Sequence, residues 1–147
     1  MIKNPILKNI LSALAVGASG FILLNLTFMV FAFVTKFFEL ILPFNLVPIS
    51  GLIAGSVIIA VLSWLIFRSK LGTIYKAIYM TVPVAVVLAL IGISFYPWPW
   101  LAITLGGLFS VSILTYLIRA KKPWLYSFSL ILVSLVLLIM TLLGVDI

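Results

Sequence analysis

The sequence predicts an all-helical protein that crosses a lipid bilayer five times, and three observations predict it. The first is composition: of 147 residues, 66% are hydrophobic and 7% are charged. A soluble domain carries about 25% charged residues, and a chain this short could not hide so much apolar side chain from water. The second is the grouping of the apolar residues into five runs, each close to the roughly 20 residues that a helix needs to cross the hydrocarbon core. The third is what separates the runs, which is basic residues or proline. Transmembrane strands are disfavoured, because they alternate over about ten residues and these runs do not. The whole chain, residues 1–147, therefore reads as a single transmembrane domain.

The first run extends from Ile10 to Thr35. Lys3 and Lys8 precede it in the manner of a signal peptide, but the run is too long for a cleaved hydrophobic region and suits an uncleaved signal anchor. Lys36, Glu39 and Pro43 close it. The stretch from Phe37 to Leu46 is apolar but too short to span, and reads as an interfacial segment or a continuation of the first helix. The second run is Val47 to Phe67, stopped by Arg68 and Lys70. The third is Ile74 to Phe95; Lys76, near its start, is the one charged residue within any of the five runs. Pro83 lies inside this run, frees a backbone carbonyl one turn earlier, and marks a candidate hinge. Tyr96, Pro97, Trp98, Pro99 and Trp100 then forbid a continuous helix. The fourth run is Pro99 to Ile118, and Arg119, Lys121, Lys122 and Pro123 separate it from the fifth, Pro123 to Val145. Connections this short make sequence neighbours antiparallel hairpins.

The ends of the second and fourth runs resemble each other. Leu62 to Lys70 and Leu114 to Lys121 both pass from apolar and aromatic residues into basic ones, with Ala54 and Gly55 upstream of one and Gly106 and Gly107 upstream of the other. Ala60 corresponds to Ser112, and Tyr75 to Tyr126. Two readings fit. One is a pair of parallel helical-hairpin repeats plus one N-terminal helix, related by an axis along the membrane normal. The other is boundary chemistry shared by any helix that ends on the cytoplasmic side.

The net charge of +7 is a matter of topology rather than of nucleic-acid binding. With the N-terminus inside, Lys3, Lys8, Arg68, Lys70, Lys76, Arg119, Lys121 and Lys122 all fall on the cytoplasmic side, against Lys36 alone outside. That asymmetry places the C-terminus, with Asp146, outside, and the basic loops against anionic headgroups. In a prokaryote the membrane would be the cytoplasmic one.

Polar positions inside the runs are few. Asn25, near the middle of the first run, should face protein or water, since an unpaired amide in hydrocarbon is costly. Ser127, Ser134 and Thr141 recur at two-turn intervals and form one stripe on the last helix, either lining a polar path or bonding to backbone. Gly51 and Gly55 form a GxxxG pair, and Gly106 and Gly107 add small residues to the fourth run; such positions suit close helix packing.

Catalysis needs a positioned acid, base, nucleophile or metal. The chain has no Cys and no His, and its only carboxylate side chains are Glu39 and Asp146. No enzyme, cofactor or metal centre is expected, and the lack of intramembrane acids argues against proton coupling. Two functions stay open: a transport or channel component for a neutral, lipophilic or anionic solute, and a non-catalytic accessory or assembly subunit of a larger membrane complex. The partners expected are the bilayer itself and either a parallel homo-oligomer or a larger membrane protein.

Overall fold

The computed structural model describes residues 4–44 and 46–144. Five helices account for nearly all of them: α1 Pro5–Glu39, α2 Val47–Arg68, α3 Thr73–Ser94, α4 Pro99–Arg119 and α5 Trp124–Leu142. Each is long and apolar enough to cross a membrane, and no strand occurs among the described residues. The protein is thus an all-helical, multi-pass integral membrane protein. Lys3, Asp146 and the expected end of the fifth run at Val145 lie outside the described residues.

Helix α1 differs most from expectation. It begins at Pro5 rather than at Ile10, because Asn4 caps it: the Asn4 side-chain oxygen accepts from the Ile6 N–H at 3.0 Å, and proline at the first position is pre-set for a helix. At its other end α1 continues to Glu39, so the apolar stretch after Thr35 begins as a continuation of the helix. At 35 residues α1 is roughly 52 Å long, well beyond a hydrocarbon core of about 30 Å. Tilt, or protrusion into the headgroup layers, accommodates such an excess. The remaining helices, of 19 to 22 residues, match the core closely.

Helix α3 is the hub. It packs against all four others, which form an arc in the order α2, α1, α5, α4. Its sequence explains the position: Ala77, Thr81, Val82, Val84, Ala85, Val86 and Ala89 are all buried, and such slim side chains let several helices approach one axis. Helix α2 packs on α1 and α3 but not on α4 or α5, so the arc does not close. The two hairpins are consequently not equivalent. Helix α4 touches both members of the α3–α5 pair, whereas α2 touches only α3, and α1 is wedged between α2 and α5 rather than standing beside a four-helix core.

Packing is densest toward the end of the bundle that carries Lys8, Arg68, Lys76 and Arg119, termed here the basic end. Met80, Val84, Ala85, Leu117, Leu130 and Val133 join α3, α4 and α5. Ile59, Tyr79, Val82 and Val86 join α2 to α3, and Val16, Ala77 and Leu125 join α1, α3 and α5. The buried Ser129 hydroxyl crosses from α5 to donate to the Ala77 carbonyl of α3 at 2.7 Å. The α4–α5 turn is tight enough to hold Lys121 at a φ of 50°.

A candidate binding cavity among α3, α4 and α5

The three helices that pack closely at the basic end separate toward the other end and leave a cavity of about 870 Å³. Its floor is Leu114 and Leu130, the latter fully buried in the core below. Its walls include Leu88, Ala89 and Gly92 of α3, Ile103, Gly106 and Gly107 of α4, and Ser134, Leu138 and Thr141 of α5. Phe95, Tyr96, Pro97 and Pro99 stand at its mouth, in the turn whose prolines end one helix and begin the next. Among the described residues, no charged side chain lines it.

The space exists because glycine is used where helices diverge. A β-carbon added at Gly92 or Gly107 would meet nothing within 4 Å, whereas one at Gly106 would press on Leu88 Cδ2 at 3.3 Å. Gly106 therefore packs on α3 as expected, but Gly107 does not pack closely on anything. The reading of Gly107 as a packing glycine is corrected: it is an open wall position. Gly51 and Gly55 behave oppositely. An added β-carbon at Gly51 would sit 2.6 Å from Thr35 Oγ1, and one at Gly55 would run into the Phe31 ring. The GxxxG pair is thus spent within the chain, seating α1 on α2.

The hydroxyl stripe divides. Ser134 and Thr141 line the cavity, while Ser127, half-buried near the basic end, does not. Thr141 donates to the Leu137 carbonyl of its own helix at 2.8 Å. Ser134 pairs across the hairpin with Ser110 of α4, Oγ to Oγ 2.9 Å, just above the floor. The sequence reading singles out Ser134 but not its partner Ser110 on the neighbouring helix. A signal was available: the two serines are 24 residues apart with Lys122 midway, so a symmetric hairpin turning at Lys122 brings them level.

Asn25 is not where the sequence placed it. It lies exposed on the outer flank of α1, and its side-chain N–H donates to the Phe21 carbonyl of the same helix at 2.8 Å. The expected burial is absent, because a bond to the preceding turn satisfies the donor without help from another helix. Pro83 sits within the most tightly packed stretch of the molecule, with Thr81, Val82, Val84 and Ala85 all buried around it, and α3 continues through it as one helix. No protein-family model, curated protein or solved structure matches this chain.

Proposed function

We propose that the protein is a non-catalytic transport component that takes a neutral, lipophilic solute into the cavity among α3, α4 and α5. The observation that carries this reading is the cavity itself: about 870 Å³, of the size that holds small molecules, walled mainly by apolar side chains and four glycines. An anionic solute is the poorer fit, since among the described residues no basic side chain lines the cavity to offset the cost of desolvating a charge. The floor closes the cavity toward the basic end, while Ile93, Gly107, Val111, Ile131 and Leu135 on its walls are also exposed on the bundle surface, so the cavity is half-open to lipid. Transit would require Leu114 and Leu130 to part, with α4, the helix that touches only α3 and α5, as the mobile element.

Reconstitution in liposomes tests the proposal. Flux of neutral lipophiles should exceed that of empty liposomes and should fall when Gly107→Leu fills the cavity. Equal flux with and without the protein would remove transport from consideration.

A second reading, an accessory subunit of a larger membrane complex, draws support from Asn25. Its amide is exposed on the outer flank of α1 among Phe21, Ile22, Leu26 and Met29, where its oxygen could serve a neighbouring helix. Under this reading the protein extracted in mild detergent brings a defined membrane partner with it, and Asn25→Leu releases that partner.

A further inference from the structure

The serine pair just above the cavity floor differs from most hydroxyls of its helices; Ser127, which lies away from the cavity, makes no hydrogen bond to the described residues. Thr104, Ser112, Thr115 and Thr141 each donate to the carbonyl four residues earlier, at 2.7 or 2.8 Å. Ser129 donates to Ala77. Ser110 and Ser134 bond only to each other. Each hydroxyl carries one hydrogen, and their mutual bond uses one of the two. The second hydrogen has no acceptor among the described residues, and both side chains, half-buried, border the cavity.

An O–H group facing an apolar space without an acceptor is left unsatisfied, which is unfavourable. Water is a poor remedy, because a stable buried water needs two to four polar partners and the surroundings here are Leu114, Leu130, Gly106 and Leu138. A ligand oxygen is the better partner, and its position restricts what the ligand can be. Ser110 lies 11 residues along α4 from Pro99 at the mouth, which is about 16 Å. A phospholipid entering tail-first would hold its ester oxygens near the mouth and offer only methyl groups to the floor.

We propose that the cavity selects compact neutral lipophiles that carry a carbonyl oxygen at their leading end, with Ser110 and Ser134 donating one hydrogen bond to that oxygen. Ketones and quinone-type carbonyls have this chemistry; phospholipids and plain hydrocarbons do not. The proposal rests on the reading of the cavity as a lipophile site and adds to it the group that the ligand must present.

The test compares benzophenone with diphenylmethane, which share shape but differ in the carbonyl. Each displaces a fluorescent naphthylamine probe from the full-length protein held in amphipol. Wild type should bind benzophenone about tenfold more tightly, the equivalent of one hydrogen bond of about 1.4 kcal/mol. In the double variant Ser110→Ala with Ser134→Ala the ratio should fall to about one, with the affinity for diphenylmethane unchanged. Replacing both partners of a bond by small apolar groups is nearly neutral for folding, and thermal melting checks this. The infrared carbonyl band of bound benzophenone should be shifted down in wild type and not in the double variant. A ratio near one in wild type, or a preference that survives in the double variant, overturns the serine assignment alone. If Gly92→Leu with Gly107→Leu leaves the binding of both compounds intact, the cavity reading falls with it.

Discussion

At the scale of single residues, what decides a polar group's role inside an apolar bundle is where its hydrogen goes. Asn25 and Thr141 each satisfy a donor on the preceding turn of their own helix, so neither has to hold the fold together. Asn25→Leu should therefore leave the melting temperature in detergent unchanged or raise it, as read by a thermal scan of the purified protein. A clear fall would mean that the amide has a partner outside the chain. Glycines separate in the same way. Gly55→Ala should destabilise by about 1–3 kcal/mol, because the new methyl group meets the Phe31 ring, whereas Gly107→Ala should be close to silent. The sequence made the glycines visible without distinguishing them, since a small residue that admits a neighbouring helix and one that lines empty space look alike until the neighbour is placed. The same blindness hid the serine pair, which belongs to two helices at once.

At the scale of elements, the spans were legible and their lateral order was not. Length and hydropathy fix where a helix must cross, and the runs from Val47, from Ile74 and from Pro99 agree with α2, α3 and α4 to within a residue or two. The start of α1 is not marked by hydrophobicity. Asn4 and Pro5 are capping signals that no apolar run contains. Which helix sits at the centre could not be read from amphipathicity, since lipid and protein neighbours are equally apolar and every face of such a helix looks the same. The concentration of Ala, Val and Thr in α3 was the available clue. Its consequence is measurable at Ser129, whose hydroxyl ties α5 to the hub through the Ala77 carbonyl. Ser129→Ala should cost about 1 kcal/mol in unfolding from mixed micelles, while Ser112→Ala, which loses only a bond to its own helix at an exposed position, should cost nothing measurable. Equal effects of the two substitutions would show that the cross-helix bond adds nothing to the hub.

For the molecule as a whole, the two ends of the bundle differ in both charge and packing. Lys8, Arg68, Lys70, Lys76, Arg119, Lys121 and Lys122 gather at the end where α3, α4 and α5 are tightly joined, and the cavity opens at the end that carries Lys36 and the Tyr96–Trp100 turn. Insertion is biased by Lys and Arg in short loops, so a chain this asymmetric should take one orientation, with the basic end in the cytoplasm. The cavity mouth would then face the opposite leaflet, and a lipophile would enter from that side. Antiparallel pairing of two copies, which needs nearly balanced charges, is disfavoured; any self-association should be parallel, about an axis along the membrane normal. Single cysteines at Ser69 and Trp98, in a chain that has none of its own, decide the matter. In intact cells a membrane-impermeant maleimide should label Trp98→Cys and spare Ser69→Cys until the membrane is permeabilised. Equal labelling of both would mean that the chain inserts both ways, so that the cavity opens to each side in half of the molecules and an antiparallel pair could work by alternating access. Labelling of Ser69→Cys alone would invert the orientation and put the carbonyl-selective site within reach of lipophiles from the cytoplasmic leaflet.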